Sequence, residues 1–242
     1  MNQSQRTILL GTLLLSTLSA QPASDPSGHW EGSIQSPLGE LTFEIDLAKH
    51  SAGEFVGALN QPSEHITGLP LANIAVDGKS LRFQIKGTAG ERAFKGALSD
   101  DGKSISGYFT QGGYTIPFSI TRKGDPRFEA PINNAPISKE LEGIWNGTLD
   151  GNGKQLRAVL TLENQPDGNA SGSLVTVDDG LEIPIATITQ HASTVNLDLK
   201  AVGASFSGDL NPDATELAGK YTQGSLVLPV TFRRSAATEG KK

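Results

Sequence analysis

The strongest constraint on the fold is an internal duplication. Residues 108–122 read YFTQGGYTIPFSITR, and residues 221–234 read YTQGSLVLPVTFRR. Aligned on this segment, the chain matches itself without a gap from residue 94 onward, and the match continues upstream with small shifts. Equivalent pairs include Trp30 with Trp145, Gly32 with Gly147, Leu41 with Leu156, Gly57 with Gly172, Pro70 with Pro184, Phe94 with Phe206, Gly107 with Gly219, and Arg122 with Arg234. The chain therefore consists of two consecutive copies of one module, each of about 95 residues, a size that can fold alone.

The duplication sets the expected domain boundaries. The first copy covers residues 28–123 and the second covers residues 139–235. Between them, residues 124–138 contain three prolines, which disfavour both a helix and a central strand. We expect this segment to be an extended linker and residues 236–242 to be a disordered tail.

Within each copy, apolar residues alternate with polar ones. The clearest runs place an apolar residue at every second position: Leu41, Phe43, Ile45 and Leu47, then Leu81, Phe83 and Ile85, and then Ile116, Phe118 and Ile120. A period of two is typical of half-buried strands, and turn sequences such as VDGKS separate the runs at intervals of about ten residues. The pattern predicts eight strands in each copy and no amphipathic helix after the first 20 residues.

An even number of strands joined by short turns favours an antiparallel meander that closes into a barrel, because closure leaves no exposed sheet edge. A β-sandwich is the alternative. Pro117 and Pro229 lie in the last strand of their copies, where the missing N–H donor can leave closure incomplete. The sequence therefore predicts an all-β protein with two tandem eight-stranded antiparallel up-and-down β-barrels.

Four strands of each copy carry a glycine in the middle of their apolar face. In the second copy these are Gly147, Gly172, Gly208 and Gly219. Such glycines either leave room inside the barrel for a small ligand or permit the sharp coiling of a small barrel whose interior is filled by neighbouring side chains. The sequence leaves both interpretations open.

The second barrel is expected to have the emptier interior. Four phenylalanines of the first copy are replaced by smaller residues in the second: Phe43 by Ala158, Phe55 by Ala170, Phe83 by Leu197 and Phe118 by Val230. Lost side-chain volume becomes an apolar cavity unless the strands close in. These positions, together with the glycines and with Gln223 at the predicted barrel mouth, are candidates for binding a small apolar molecule. Gln223 can equally hold the closing hairpin through its amide.

The N-terminal residues predict export. Residues 1–20 contain one basic residue, Arg6, then an apolar stretch and a small residue, Ala20, which is the layout of a secretory signal peptide and too short for a transmembrane span. The chain has no cysteine, which excludes disulfides, thiol nucleophiles and cysteine-bound metals. A net charge of -6 argues against nucleic-acid binding. We expect a secreted or periplasmic protein without a cofactor.

No catalytic constellation is evident in the sequence. The four histidines, His29, His50, His65 and His191, are scattered, and none has a counterpart in the other copy. Their spacing matches no metal-binding motif, so we expect surface histidines and no metal site. The nearest approach to a Gly-x-Ser-x-Gly elbow is GASFS at 203–207, which the duplication aligns with an ordinary strand. We therefore expect a protein that is not an enzyme.

The tripeptides GHW and GIW open the first strand of the two copies and resemble the Gly-x-Trp start of calycin barrels such as lipocalins. This resemblance implies that an arginine of the last strand lies across the tryptophan, which pairs Arg122 with Trp30 and Arg234 with Trp145. A guanidinium over an indole face is a favourable cation–π contact, worth about 0.5–2 kcal/mol.

A closer resemblance covers nearly the whole of each copy. The segments WNGTL, FVGAL and GYFTQGG, followed by Pro117 and Phe118, are similar to an all-β module found ahead of the catalytic domain in bacterial secreted α/β hydrolases. That resemblance implies an accessory role without chemistry of its own. Two functions remain open: binding of a small apolar ligand, with the second barrel favoured, or an accessory role in which the protein contacts a protein partner.

Overall fold

A computed structural model of the protein describes seven stretches of the chain: residues 25–36, 39–50, 53–87, 92–128, 132–151, 153–178 and 180–235. The predicted signal peptide, residues 1–20, and the predicted tail, residues 236–242, lie outside the described residues. Strands dominate the fold, and two single 3-10 turns, Pro62–Glu64 and Lys200–Val202, accompany them. In the described residues, no helix has the length and apolar character needed to cross a membrane.

The first half forms a closed antiparallel barrel, as predicted. Each strand pairs with the next, and the last pairs back with the first, where Trp30 lies opposite Arg122 and Ile34 opposite Phe118. Pro117 lies just beyond this closing ladder, so its missing N–H does not interrupt closure. The strands are β1 (Gly28–Ser36), β2 (Gly39–Lys49), β3 (Phe55–Gln61), β4 (Ile66–Asp77), β5 (Ser80–Ile85), β6 (Ala93–Leu98), β7 (Ser104–Gln111) and β8 (Tyr114–Gly124).

The second half differs from the predicted closed barrel. It is a curled nine-stranded sheet in the order β12-β11-β10-β9-β17-β16-β15-β14-β13, and it is open between β12 and β13. The strands are β9 (Gly143–Gly151), β10 (Lys154–Asn164), β11 (Ala170–Thr176), β12 (Leu181–Pro184), β13 (Thr187–His191), β14 (Thr194–Leu199), β15 (Ala204–Leu210), β16 (Glu216–Gln223) and β17 (Leu226–Arg234).

The extra strand arises because the counterpart of β4 is broken in two. Pro70 of β4 lies opposite Ala58, and its equivalent Pro184 at the end of β12 lies opposite Ser173 in the same way. After Pro184 the backbone changes partners: the Ile185 N–H donates to Gly172 on β11, and the Ala186 N–H donates to Asp198 on β14. The pairs β11–β12 and β13–β14 separate at this point, which leaves the sheet open.

Part of the predicted linker fills this opening. The Asn134 amide nitrogen donates to the carbonyl oxygens of Ala170 (3.3 Å) and Ala186 (3.4 Å), and its side-chain oxygen accepts from the Ile188 N–H (2.9 Å). Three residues later, Ile137 is buried in the core of the second half. The end of the predicted linker thus closes the second half where its own strands do not meet.

Each half has a core of buried apolar side chains. The first barrel is packed with phenylalanines, and the Phe94 ring stacks on Phe83 with 4.8 Å between centroids and contacts Phe109 at 4.6 Å. In the second half, the Phe206 and Phe232 rings meet edge to face at 5.5 Å, in the same core as the buried Trp145. The apolar side of each strand faces the core, in agreement with the period of two in the sequence.

The two halves contact each other directly. Leu181 at the start of β12 packs against the core of the first barrel. Next to it, the carboxylate of Glu182 accepts from the Lys86 ammonium at 2.8 Å. The 3-10 turn Lys200–Val202 contacts β4. A cleft lies between the halves beside these contacts.

Candidate functional site

The residues expected to line a ligand cavity lie in the core of the second half. Ala158, Ala170, Leu197 and Val230 are all buried there. At the four glycines named with them, neighbouring atoms occupy the place where a side chain would begin. A Cβ built on Gly147 would lie 2.6 Å from the Phe232 ring, and one on Gly172 would lie 2.7 Å from Leu162. The side chain of Phe232, the one large residue gained in the second copy, therefore occupies part of the volume that the smaller residues release.

Gly208 and Gly219 face each other on β15 and β16. A Cβ on Gly208 would lie 2.5 Å from the Ala218 carbonyl oxygen, and one on Gly219 would lie 2.2 Å from that of Ser207. Real Cβ atoms do not approach backbone atoms so closely. The glycines permit close backbone packing, and the ligand space expected beside them is filled by the protein itself.

Gln223 makes two hydrogen bonds within the second half. Its amide nitrogen donates to the Val202 carbonyl oxygen at 2.9 Å, and its side-chain oxygen accepts from the Tyr221 hydroxyl at 3.2 Å. Burial raises the pKa of Tyr221 above its usual range. The amide thus joins the closing hairpin to the 3-10 turn Lys200–Val202. Of the two roles considered for Gln223, ligand binding and support of the hairpin, these bonds fit the second.

Each half contains the tryptophan–arginine contact that the resemblance to calycin barrels implies. The Arg122 guanidinium carbon lies 4.3 Å from the Trp30 ring centroid, and the Arg234 carbon lies 4.2 Å from that of Trp145. Each indole N–H donates a hydrogen bond to the carbonyl oxygen of the residue four positions earlier, with 3.0 Å between nitrogen and oxygen. Because the arrangement is the same in both halves, it serves the fold.

A polar cluster on the outer surface of the first barrel was not expected from the sequence. Pairing of β1 with β2 places His29 opposite Asp46 and Glu31 opposite Glu44. These four side chains point away from the core, because the buried Trp30 and the residues at alternate positions of β2 point inward. Two neighbouring strands thus bring one imidazole and three carboxylates together.

His29 is the centre of this cluster and is completely buried, at 0% exposure, so its expected place on the surface was wrong. Its Nδ1 lies 2.8 Å from Asp46 Oδ1, and its Nε2 lies 3.3 Å from Glu31 Oε1 and 4.0 Å from Glu44 Oε2. The ligand atoms of His29, Glu31 and Glu44 all lie within 4.8 Å of one another, a spacing that could accommodate a metal ion.

Asp46 is also buried, and its carboxylate is fully engaged. Besides the His29 imidazole, it accepts a hydrogen bond from the Asn60 amide at 3.1 Å and one from the Arg127 backbone N–H at 2.8 Å. The Arg127 bond shows why the period of two did not reveal this burial. A segment that follows the first barrel returns over its outer surface and covers side chains that the strand pattern assigns to solvent.

The cluster borders the cleft between the two halves, which has a volume of about 830 Å³. The first half, the linker and the second half all contribute to its walls. The lining residues are His29, Glu44, Asp46, Ala58, Asn60, Pro62, His65, Thr67, Gly68, Arg127, Phe128, Pro184, Ala186, Lys200, Ala201 and Gly203. The lining combines apolar side chains with several groups that donate or accept hydrogen bonds.

One sequence signal could have indicated the cluster. The segments HWE at 29–31 and EID at 44–46 alternate ionisable and apolar residues on strands predicted to be neighbours. The second copy carries Ile144 and Asn146 at the positions of His29 and Glu31, and Val159 and Thr161 at those of Glu44 and Asp46. The ionisable set is therefore specific to the first half.

No protein-family model matches the sequence, and no curated protein matches it. Several solved structures align with it at low similarity. A candidate outer membrane protein from Bacteroides fragilis is 12% identical, over 88% of this chain and 99% of that chain, with a TM-score of 0.27. A protein of unknown function from the DUF3598 family of Nostoc punctiforme is 12% identical, over 86% and 96%, with a TM-score of 0.25.

The transferrin-binding protein B of Neisseria meningitidis serogroup B is also 12% identical, over 81% of this chain and 52% of that chain, with a TM-score of 0.24. Similarity at this level gives no basis for inferring a function. The functional argument therefore depends on the cleft and the polar cluster.

Proposed function

We propose that this protein is an exported, non-catalytic binding protein whose ligand lies in the cleft between its two halves. The observation that carries the proposal is the cleft itself, a concave space of about 830 Å³ with walls from both halves. Ligand sites in proteins are usually concave, mostly apolar spaces of about 300–1,000 Å³ with a few polar groups that fix orientation. The cleft has this size and this mixture of groups.

The cleft is a better ligand site than the interior of the second half, where the sequence analysis placed it. At the glycines of that interior, neighbouring atoms lie within 2.2–2.7 Å of where a side chain would begin. In the cleft, Ala58, Pro62 and Phe128 offer apolar surface, and His65 and Asn60 offer polar groups. This lining suits a small molecule with an apolar body and a hydrogen-bonding end.

Export and the lack of catalysis are parts of the same proposal. The signal-peptide layout of residues 1–20 supports export. The absence of a nucleophile elbow supports a binding role, and so does the resemblance to accessory modules of secreted hydrolases.

The test is native mass spectrometry of the protein purified from its own host, combined with a variant that fills the cleft. Thr67 is exposed and lines the cleft, so Thr67→Trp should obstruct it without disturbing the core. We expect a small molecule to copurify with the wild type and to be lost from Thr67→Trp. The matched control is Thr231→Trp, which changes an exposed threonine on a strand of the second half outside the cleft and should retain the molecule.

A ligand that copurified equally with Thr67→Trp and with Thr231→Trp would place binding elsewhere and refute the cleft as the site. Wild-type protein that carried no small molecule would count against the small-ligand proposal and would favour the second candidate.

The second candidate function is an accessory role with a protein partner. It is favoured by apolar side chains exposed near the linker: Phe128, which also lines the cleft, is 43% exposed, and Ile132 is 56% exposed. A protein that copurified with the wild type and was lost from Phe128→Ser would support this candidate. Ile144→Ser, which changes a similarly exposed residue on β9, is the control.

A further inference from the structure

We propose that His29, Glu31 and Glu44 form a binding site for a divalent transition-metal ion, with Zn²⁺ as the most suitable probe. Imidazole nitrogen and carboxylate oxygen are common zinc ligands. Four observations carry this inference: the orientation of His29, the charge of the cluster, the distances between the ligand atoms, and the absence of the same set from the second half.

The orientation of His29 comes from Asp46. The buried carboxylate of Asp46 accepts from Nδ1 at 2.8 Å, so Nδ1 carries a proton and Nε2 points toward Glu31 and Glu44. A histidine that binds a metal typically donates its other N–H to a carboxylate or carbonyl, which fixes the ring and increases its basicity as a ligand. Asp46 occupies that supporting position, and its other bonds to Asn60 and Arg127 hold it in place.

The charges of the cluster favour a bound cation. Glu31 and Glu44 lie directly opposite each other on neighbouring strands, where like charges destabilise the pairing. In the part of the chain that the structure describes, no lysine or arginine forms a salt bridge with either carboxylate, although Lys123 lines the same outer groove as the two glutamates, and the His29 imidazole is the basic group that contacts both. A divalent ion bound at Nε2 would neutralise both carboxylates at once.

The distances are close to those of a metal site. Two ligand atoms bound about 2.1 Å from a tetrahedral zinc ion lie roughly 3.4 Å from each other. The distance from His29 Nε2 to Glu31 Oε1 is 3.3 Å, and that from Nε2 to Glu44 Oε2 is 4.0 Å. The Glu44 side chain is 31% exposed and can move to close the gap of roughly 0.6 Å that remains for its pair with His29, and all three ligand atoms lie within 4.8 Å of one another. Three protein ligands leave a fourth position for water or a bound molecule.

The second half lacks every one of these ligands. Ile144 replaces His29, Asn146 replaces Glu31 and Val159 replaces Glu44, although Asn146 and Val159 are paired across β9 and β10 just as the two glutamates are across β1 and β2. The fold itself therefore does not require the ionisable set. The site uses different atoms from those proposed for an amphipathic ligand in the cleft, so either proposal can fail without the other.

The test is isothermal titration of ZnCl₂ into the full chain after removal of metals with EDTA, with Co²⁺ absorption spectra as a second readout. We expect one equivalent of Zn²⁺ per chain and visible absorption bands from bound Co²⁺. Glu31→Gln and Glu44→Gln change exposed or half-exposed side chains, so they should fold normally and should each weaken binding by about tenfold or more. His29→Gln should abolish binding.

Glu40→Gln is the matched control. Glu40 lies on the outward face of β2 four residues before Glu44, about 13 Å along the strand and so too far to share an ion with His29. This variant should bind Zn²⁺ as the wild type does. Asp46→Asn keeps the three ligands and should weaken binding by about 10–100-fold, since it removes the support of the imidazole.

Two results would overturn the inference. One is the absence of saturable Zn²⁺ binding to the wild type, which would leave His29 as a hydrogen-bonding partner of its carboxylates and no more. The other is binding that Glu31→Gln and Glu44→Gln leave as strong as in Glu40→Gln. If His29→Gln or Asp46→Asn fails to fold, the two glutamate variants still decide the question.

Discussion

Arg122 covers the indole ring of Trp30, with the guanidinium carbon 4.3 Å from the ring centroid, and so joins the last strand of the first barrel to its first strand. The same guanidinium donates to three backbone carbonyl oxygens, those of Gly102, Ser27 and Asp25. One side chain thus connects the turn between β6 and β7, the segment before β1, and β8. These bonds hold the segment that precedes β1 against β8, the last strand of the barrel.

Replacing Arg122 with methionine should therefore destabilise the first half. The variant loses the cation–π contact and leaves two partly buried carbonyl oxygens, those of Gly102 and Ser27, without this donor, for an expected cost of about 2–4 kcal/mol. Arg122→Lys keeps the charge but cannot reach three carbonyls with a planar fork, so it should recover less than half of the loss. Urea unfolding followed by tryptophan fluorescence measures both variants.

The equivalent substitution in the second half provides the comparison. Arg234 lies 4.2 Å from the Trp145 ring centroid and donates to the carbonyl oxygens of Ala214 (2.7 Å) and Glu142 (2.5 Å). Arg234→Met should therefore cost a similar free energy. A lysine variant as stable as the wild type in either half would contradict the importance given to the guanidinium geometry.

Asn134→Ala should destabilise the second half by about 1–3 kcal/mol, because it leaves the buried Ile188 N–H without an acceptor and removes the bonds to Ala170 and Ala186. The neighbouring Asn133 is exposed, so Asn133→Ala is the control and should change the free energy of unfolding very little. Chemical denaturation measures the two variants side by side. Equal stabilities for the two would mean that the linker segment does not support the open edge.

Gly147→Ala should cost about 1–3 kcal/mol, because the added Cβ would lie 2.6 Å from the Phe232 ring. A smaller side chain at position 232 should relieve the clash. The double variant Gly147→Ala/Phe232→Leu should then be more stable than the sum of the two single changes predicts, with a coupling energy of about 0.5 kcal/mol or more. Additive effects would show that space is available beside Gly147, as an interior cavity would require.

Tyr221→Phe tests the bond between the closing hairpin and the 3-10 turn through the pH dependence of stability. Burial raises the pKa of Tyr221 in the folded state above the value of about 10 for the unfolded chain. The stability linked to this group is fully present below the unfolded value and is lost as the pH rises through the folded value. The stability difference between wild type and Tyr221→Phe should therefore shrink as the pH rises from about 9 upward.

Urea unfolding of both proteins across that pH range measures the difference. Lysines and the other tyrosines titrate equally in the two proteins and cancel. A difference that stayed constant with pH would mean that Tyr221 is as accessible when folded as when unfolded.

Much of the fold followed from local patterns. The alternation of apolar and polar residues predicted strands near the places where they occur, because a strand exposes opposite faces to core and solvent at every second residue. The resemblance of GHW and GIW to the start of calycin barrels implied the contacts of Arg122 with Trp30 and of Arg234 with Trp145, and the duplication supplied the equivalent residues in both copies. In both halves the first strand pairs with the last strand, which brings the tryptophan and the arginine together.

The break in the fourth strand of the second half, which separates β12 from β13, could not be predicted from the sequence pattern. The break after Pro184 depends on the Ile185 and Ala186 N–H groups bonding to strands on opposite sides, and on Asn134 arriving from the linker to fill the opening. The sequence pattern of this stretch remains that of an ordinary strand. The pairing of backbone groups at the opening between β12 and β13 depends on contacts with segments that are distant in the chain, and a local sequence pattern does not contain that information.

The sequence by itself determined that the protein is built from strands, that one module is repeated, and which side chains face each core. Tertiary structure alone decided that His29 and Asp46, on the outer side of the barrel, are buried with Glu31 and Glu44 beside them. The physical reason is that strand periodicity separates the two faces of a sheet but carries no information about what covers the outer face. Here the Arg127 backbone N–H bonds to Asp46 on that face, and the linker and the second half supply the other walls of the cleft beside the cluster.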